Sequence, residues 1–279
     1  MKNIKRTYSF KPFEELEFSD DFMFKKIMHN PEICAGVIER LLKIKVDHIE
    51  YPELQKEIAP YYTSKGVRLD VYVKDSDRNF DIEMQTSKFQ SIGKRMRYYQ
   101  SMLDIDDLMK GADYSELKES FVIFICKDSP IEDFDLPVYT FKNICLENKK
   151  VELGDKSHKV IYNVKAYEKE TDKELKAFLH FVCSGSAEDK FTDKIKALIE
   201  QTKQAESNKT EYMSMNLHDR DIRWAAKREG KIEEAIRAAK IFIEKYNIPK
   251  EQACADLGIS TDLLESEVQG IDSHKELIY

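Results

Sequence analysis

The sequence predicts an α/β domain followed by an all-α C-terminal tail. Residues 67–85 alternate apolar and polar side chains on either side of a polar turn at 74–79, which is the pattern of a β-hairpin. Residues 121–126 form a short, continuous apolar run typical of a buried strand. Strand signals stop near residue 171, where helical spacing takes over. We therefore expect an α/β domain over residues 1–167 and a helical extension over residues 168–279.

The elements around the hairpin follow from local patterns. Helical spacing covers residues 19–44, where Asp20 or Asp21 suits the N-cap and Asn30-Pro31 interrupts the helix. An irregular stretch that contains two prolines then leads into the hairpin. A further helix is predicted over residues 87–109, because four apolar side chains lie along one side of it: Ile92, Met96, Tyr99 and Leu103. Additional strands are expected at residues 137–141 and 160–164.

The C-terminal tail has the spacing of several helices. Two are predicted at residues 173–185 and 188–204. Residues 218–246 carry a heptad stripe, which predicts a helix–helix seam within the chain or between two copies, or a helix packed on its own domain. The apolar positions of the stripe are 222, 225, 232, 236, 239, 243 and 246. Residues 249–268 have the spacing of a DNA-binding helix-turn-helix, but their acidic second helix favours a plain helical hairpin.

Composition and charge narrow the classes of function. The 279 residues carry a formal net charge of −7, which argues against a protein whose main task is to coat nucleic acid. A nuclease remains compatible, because a local basic patch can serve one site on an acidic chain. No run of about 18 apolar residues and no signal-peptide core is present, so we expect a cytoplasmic protein without a membrane span. The five cysteines lie far apart and are predicted to be reduced thiols.

The polar residues of the hairpin predict a metal-binding pair. If Val73 faces Phe80, the same register places Asp70 across from Glu83. Two facing carboxylates repel each other unless a cation lies between them, and hard oxygen ligands suit Mg²⁺. The alternative is a solvated sheet edge, where neighbouring basic side chains dilute the repulsion.

The order Asp70–x12–Glu83–x–Gln85 within this hairpin resembles the core motif of the PD-(D/E)XK nucleases, with Gln85 where most members have Lys. More specifically, residues 1–165 resemble the Rpn family of recombination-promoting nucleases, also described as PD-(D/E)XK nuclease family transposases. Five ordered elements carry the resemblance: Asp21-x-x-Phe24-Lys25, Leu69-Asp70-Val71, Ile82-Glu83-Met84-Gln85, Arg95-x-x-x-Tyr99 and Gly111-x-Asp113-Tyr114. The tail also resembles the variable helical extension of the family.

The resemblance implies a restriction-endonuclease-like core, with a mixed sheet flanked by helices, and a metal-dependent DNA endonuclease acting in recombination, mobile elements or defence. It implies that Asp70, Glu83 and the main-chain carbonyl of Met84 hold Mg²⁺, or Mn²⁺ or Ca²⁺ in its place. Asp21 is a further metal ligand in this interpretation, or else a helix cap. Gln85 is the third catalytic residue. Its amide can position a water molecule but carries no positive charge, so either a second metal ion or a nearby Arg supplies that charge or the protein cleaves slowly.

The substrate DNA is expected to lie along the helix predicted at residues 87–109. The candidate contacts for phosphates near the cleaved bond are Lys88, Lys94, Arg95 and Tyr99, and the alternative is an ordinary solvated helix face. A second class of function stays open, which is a catalytically decayed nuclease fold that acts as a non-enzymatic binding or assembly module. The acidic net charge and the missing Lys favour this second class.

Assembly is a separate expectation. Cutting both strands of a duplex with one site per chain is simplest with two copies, so we expect a homodimer. The heptad stripe would supply its seam, with Ile232, Ile236 and Ile243 as the apolar anchors.

Overall fold

A computed structural model describes residues 10–46, 49, 52–58, 66–87 and 91–268, with the backbone alone for residues 219–223, 225–226, 229 and 266–268. The strands in these ranges are β1 (Glu53–Ile58), β2 (Val67–Asp75), β3 (Arg78–Gln85), β4 (Glu119–Cys126), β5 (Val138–Phe141) and β6 (Ser157–Asn163). The α-helices are α1 (Asp21–Met28), α2 (Pro31–Leu42), α3 (Ile92–Asp107), α4 (Lys173–Ser184), α5 (Lys190–Gln204), α6 (Glu206–Tyr246), α7 (Lys250–Leu257) and α8 (Thr261–Val268). The chain forms two compact units, Met1–Lys209 and Thr210–Tyr279.

The first unit is built on one mixed sheet with strand order β1-β2-β3-β4-β6-β5. The first three strands are antiparallel neighbours, β3, β4 and β6 run parallel, and β5 is antiparallel at the edge. Helix α3 packs on one face through Met96 and Leu103. Helix α2 lies on the other face, where the Tyr162 hydroxyl donates to the Leu41 carbonyl. The predicted α/β class, with a mixed sheet flanked by helices, is therefore confirmed.

The β2–β3 hairpin has the register that the alternation predicts. Val73 faces Phe80, and the strands are antiparallel. The turn contains only two residues and is shorter than the predicted segment at 74–79, because strand pairing continues to Asp75 and Arg78. Asp75 is buried and forms an ion pair with Arg78, which holds the polar ends of both strands together.

Strand β1 lies where the sequence predicts an irregular stretch. Residues 53–58 pair antiparallel with β2 at the edge of the sheet. Five of the six side chains are half-buried or exposed, and only Ile58 is buried. Apolar alternation could not predict this strand, because pairing with β2 rather than burial of its own side chains holds it in place.

The first two helices separate at the predicted interruption. Asn30 caps α2 by accepting hydrogen bonds from two N–H groups of its first turn, with Pro31 at the first helical position. Asp20 precedes α1 but does not cap it with its side chain. Its carboxylate instead accepts a hydrogen bond from Lys11 Nζ at 2.7 Å. Helix α1 begins at Asp21, and the Asp21 carboxylate forms an ion pair with Lys25 one turn later.

Helices α2 and α5 approach closely at Gly36. A Cβ atom at this position would lie 2.3 Å from Cε2 of Phe191 in α5. The guanidinium of Arg40 lies 4.5 Å from the centroid of the same ring and forms an ion pair with Asp189 at 2.6 Å. These contacts fix α5 against α2, and α5 also packs on α1.

The first unit continues beyond its last strand. β6 ends at Asn163, close to the sequence-based boundary at residue 167. Because α4 packs on α2 and α5 packs on α1, the compact unit extends to Lys209. The boundary at 167 therefore marks the end of the sheet, and the helices that follow complete the same unit.

The second unit contains the predicted pair of short helices. Helix α7 ends at Leu257, and its C-cap is Gly258, which has a φ of 69°, the left-handed conformation that glycine adopts without a steric cost. The Ser260 hydroxyl oxygen accepts the N–H of Leu263 at 3.2 Å, as expected of an N-cap. Helices α7 and α8 pack against each other, so the two predicted short helices are present as a pair, while the preference for a plain hairpin over a DNA-binding helix-turn-helix stays a prediction.

The heptad stripe packs within the chain. Ile236 is buried in a cluster with Cys254 of α7 and Leu264 of α8, and Ile232 and Ile243 pack against this cluster. Within the chain, α7 and α8 bury Ile236 and leave Ile232 and Ile243 half-buried, so the role of these three residues as anchors between two copies stays a prediction. A heptad pattern records that a helix has a partner but not which chain supplies it. The side chains at positions 222 and 225 lie outside the described ones.

Candidate active site

A fork in the sheet brings Asp70 and Glu83 together. Regular pairing of β2 with β3 ends at Val71 and Ile82, whereas β2 stays paired with β1, and β3 with β4. At the fork, carboxylate oxygens replace main-chain carbonyls as acceptors. The Asp70 N–H donates to Glu83 Oε1 at 2.8 Å, and the Met84 N–H donates to Asp70 Oδ2 at 3.3 Å. The two predicted carboxylates therefore hold the diverging strands in contact.

Asp81 is a third carboxyl group at the fork, and the motif does not include it. It lies two residues before Glu83, on the same face of β3, and is paired with Tyr72 of β2. Its side chain is 0 % exposed, and no described donor makes a hydrogen bond to it. Burial, followed by the charge of Glu83, raises the pKa of Asp81 well above its usual range. The spacing Asp81-x-Glu83 is the sequence signal that could have identified it.

Lys25 of α1 brings a positive charge to the fork, although it was predicted only as part of a helix motif. Its Nζ atom lies 3.2 Å from Asp70 Oδ1 and 2.5 Å from Asp21 Oδ1. Lys25 is only 6 % exposed, and such burial of a lysine normally requires a charged partner. Asp21, the predicted additional metal ligand, is therefore connected to Asp70 through Lys25.

Arg95 of α3 is the second cation at the fork. Its Nη2 atom donates to Glu83 Oε2 at 2.6 Å. Its Nη1 and Nε atoms donate to Gln85 Oε1 and Tyr99 Oη, both at 2.9 Å. The Gln85 amide nitrogen donates to the Ser87 carbonyl at 2.8 Å. The structure thus joins the predicted residues Glu83, Gln85, Arg95 and Tyr99 in one network centred on the guanidinium.

Burial governs the protonation of the carboxylate pair. It raises the pKa of Glu83 to about 7, although the guanidinium of Arg95 and the N–H of Asp70 oppose this shift. Burial also raises the pKa of Asp70, against the ammonium of Lys25. Two local cations are therefore insufficient to keep these carboxyl groups at their ordinary acidity.

The chemistry of the fork fits a hard divalent cation. The acidic groups outnumber the basic ones by two charges when all are ionised: Asp21, Asp70, Asp81 and Glu83 against Lys25 and Arg95. Mg²⁺ is bound through oxygen atoms, commonly by one or two carboxylates with water completing its shell. In the ranges that the structure describes, no three acidic, His or Cys side chains form a ready metal cage. The fit to Mg²⁺ therefore rests on Asp70 and Glu83 together with water.

The remaining predicted site residues lie in different places. Lys94 is exposed in the first turn of α3, next to Arg95. Lys88 lies outside the described residues. The main chain of Met84 lies at the fork, where its N–H contacts Asp70. Asp113 caps a short 3-10 helix before β4, which is the structural role that its position in the chain suggests.

Comparison with known proteins agrees with this geometry. Searches of curated proteins and of solved structures returned no match. In the described part of the chain, no helix combines the length and the apolar character needed to cross a membrane. A family model described as PD-(D/E)XK nuclease family transposase matches residues 19–242, which include the whole fork and α1. Because this match covers most of the sequence, the chain belongs to the PD-(D/E)XK nuclease family of transposases.

Proposed function

We propose that the protein is a metal-dependent DNA endonuclease that hydrolyses phosphodiester bonds. The observation that carries the proposal is the fork, where Asp70 and Glu83 interlock two diverging strands in a chain that belongs to a nuclease family. The family also supports a cytoplasmic role in recombination, mobile elements or defence.

In this proposal Asp70 and Glu83 hold Mg²⁺, or Mn²⁺ or Ca²⁺ in its place, with the Met84 carbonyl as a further ligand. Such an ion lowers the pKa of a bound water and neutralises charge on the leaving oxygen. Lys25 and Arg95 occupy carboxylate oxygens in the structure described here. A cation held by the same carboxylates would weaken both ion pairs, and Lys25 and Arg95 would then be able to approach the substrate phosphate.

Lys25 then supplies the positive charge that Gln85 lacks. An ammonium group held within 3.2 Å of Asp70 is close enough to stabilise negative charge on a phosphate bound at the same carboxylate. Asp21 keeps Lys25 in place from the start of α1. The Lys of the usual motif is thus replaced in charge by a residue that is distant in sequence and adjacent in space.

Gln85 positions Arg95 in this arrangement. Its side-chain oxygen accepts from Arg95, and its nitrogen is held by Ser87. When Arg95 turns towards the phosphate, the Gln85 oxygen becomes an acceptor for the attacking water. We expect Gln85→Ala to slow cleavage severely while metal binding is retained.

Incubation of the purified protein with supercoiled plasmid and Mg²⁺ tests the proposal. We expect nicked and linear DNA from the wild-type protein, and intact plasmid from Asp70→Ala and Glu83→Ala. The matched control is Asp77→Ala, in the exposed turn of the same hairpin, which should cut like the wild type. Equal cutting by all four proteins would show that the activity comes from a contaminant or from another site.

A second candidate function has one specific observation in its favour. Each carboxylate of the pair already has a cation, Lys25 for Asp70 and Arg95 for Glu83, so the fork is held together without a metal ion. A decayed nuclease fold that binds DNA or assembles with other proteins would use these ion pairs as purely structural links. Such a protein would bind DNA in EDTA and leave it intact after long incubation with Mg²⁺ or Mn²⁺.

A further inference from the structure

A cavity of about 630 Å³ lies beside the fork, between the start of β2 and the first half of α3. Arg95 and Tyr99 line it and also belong to the hydrogen-bond network of Glu83. A molecule in the cavity would therefore lie next to the carboxylate pair. The cavity is within the size range of sites that take one small ligand.

The walls of the cavity combine positive charge with aromatic rings. Arg68 and Lys94 line it, are exposed, and form no ion pair with any described residue. Among the described residues that line it, none is acidic. This part of an acidic chain therefore attracts an anion.

Tyr98 provides a fixed aromatic surface in the same cavity. It is half-buried and packs against the core cluster under α3, so its ring is held by the fold. A positively charged groove with an aromatic ring is the combination that binds single-stranded nucleic acid, because phosphate and base are recognised separately. A base that is still paired and stacked in a duplex cannot offer its face to such a ring.

We propose that this cavity binds one unpaired nucleotide of the substrate strand, with its base against Tyr98 and its phosphate held by Arg68 and Lys94. The inference rests on the proposed nuclease function and specifies its substrate class. The preferred substrates are DNA segments with unpaired nucleotides next to the cleaved bond, such as single strands, flaps and mismatched ends.

Fluorescence anisotropy of the full-length protein in EDTA tests this proposal without requiring cleavage. The probes are a labelled 12-nucleotide oligo-dT strand and a blunt 12-base-pair duplex. We expect tighter binding of the single strand by the wild type. Tyr98→Leu keeps apolar bulk but removes the ring, and should weaken single-strand binding by about 5–100-fold while changing duplex binding little. Tyr98→Phe keeps the ring and should bind like the wild type.

The charge on the cavity wall has its own matched control. Lys94→Ala should weaken single-strand binding and lower the slope of log affinity against log salt by about 0.7, the effect of one lost phosphate contact. Arg97→Ala removes the same charge from an exposed position of α3 that does not line the cavity, and should leave both quantities near wild type. Melting temperatures of all variants confirm that each one is folded.

The outcomes separate this inference from the nuclease proposal. If Lys94→Ala and Arg97→Ala weaken single-strand binding equally and Tyr98→Leu has no effect, the cavity contributes only general surface charge, and the inference is overturned. Equal losses for single strand and duplex in Tyr98→Leu would also overturn it. Expected binding by a protein that never cuts DNA would defeat the nuclease proposal and leave the nucleotide site standing.

Discussion

In our proposal, Lys25 supplies the reacting phosphate with the positive charge that Gln85 lacks. We expect Lys25→Gln to lower the rate of plasmid cleavage by about 10²–10³-fold, because it removes a cation from the reacting phosphate. The same change should tighten Mg²⁺ binding, since the ammonium no longer competes for Asp70. Initial cleavage rates at saturating Mg²⁺ and a Mg²⁺ titration measure the two effects separately.

The neighbouring residue provides the control for this prediction. Lys26→Gln removes an equal charge from α1, but Lys26 lies over the Phe22 ring rather than at Asp70. It should change neither rate nor metal affinity appreciably. A Lys25→Gln protein that cuts at wild-type speed would assign Lys25 a structural role only.

Asp81 is expected to reduce stability, because an ionisable group is fully buried there next to Glu83. Because its pKa is raised, folding at pH 7.5 must either bury the charge of Asp81 or bind a proton, and an amide of the same shape requires neither. Asp81→Asn should therefore raise the free energy of unfolding by about 1–3 kcal/mol at pH 7.5 in EDTA and weaken Mg²⁺ binding. Urea denaturation is the measurement. Asp77→Asn, on the exposed turn, should stay within about 0.5 kcal/mol of wild type.

Glu83 gives the fold a pH dependence with a defined sign. Its pKa is raised from 4.5 to about 7, so between these values the folded protein keeps a proton that the unfolded chain has lost. The free energy of unfolding should therefore fall as the pH rises from 4.5 to 7, and level off above that. Glu83→Gln should lack this part of the decline when both proteins are denatured in EDTA across that range. Parallel pH profiles for the two proteins would contradict the assignment.

At the scale of elements, the position of α1 depends on the helices behind it. The close contact of Gly36 with Phe191 holds α2 and α5 together, and both pack on α1, which carries Lys25. Gly36→Ala forces the Phe191 ring to shift, so its free energy of unfolding should be about 1–3 kcal/mol below that of Gly93→Ala, since both gain the helix propensity of alanine but only Gly36 is overpacked. Gly93→Ala in α3 meets open space and should be neutral or stabilising by up to about 1 kcal/mol. Urea denaturation of the two variants measures this difference in the free energy of unfolding. Equal stability would show that the Phe191 ring moves at little cost.

Elements with strong apolar patterns could be predicted from the sequence, and those held by other forces could not. Alternation identified the hairpin, and the apolar run identified β4. The sequence does not predict strand β1, because most of its side chains are polar and its main-chain pairing leaves no periodic signal. The heptad spacing predicts that the helix has a partner but does not identify it, because the same spacing serves packing within one chain or between two.

In the candidate site too, contacts within one local element could be predicted from the sequence, and contacts between distant elements could not. Asp70 and Glu83 could be paired because one hairpin carries both, and its register fixes their positions. Lys25 reaches Asp70 from 45 residues earlier in the chain, so only the packing of α1 on the sheet could reveal the contact. Alternation in β3 places Asp81 on the same face of the sheet as Glu83, but its burial depends on α3, which packs on that face.

At the scale of the whole molecule, the C-terminal unit is expected to be stabilised by contacts within one chain. Ile236→Ala should lower the stability of this unit by about 2–4 kcal/mol, because it opens a cavity under α7 and α8. Ile241→Ala, at an exposed position of the same helix, should have little effect. Thermal melts followed by circular dichroism and mass by light scattering check the result. If Ile236→Ala lowers the mass in solution but leaves the melting temperature unchanged, the stripe instead joins two copies of the chain.

The central claim is that Asp70 and Glu83 form a metal site in an active nuclease. Titration of Mg²⁺ into the metal-free protein at pH 8 by calorimetry, where Glu83 is ionised, tests it most directly. We expect saturable binding by the wild type and none by Asp70→Asn or Glu83→Gln, with Asp77→Asn unchanged. Equal binding heats in all four proteins, or none in the wild type, would contradict the claim.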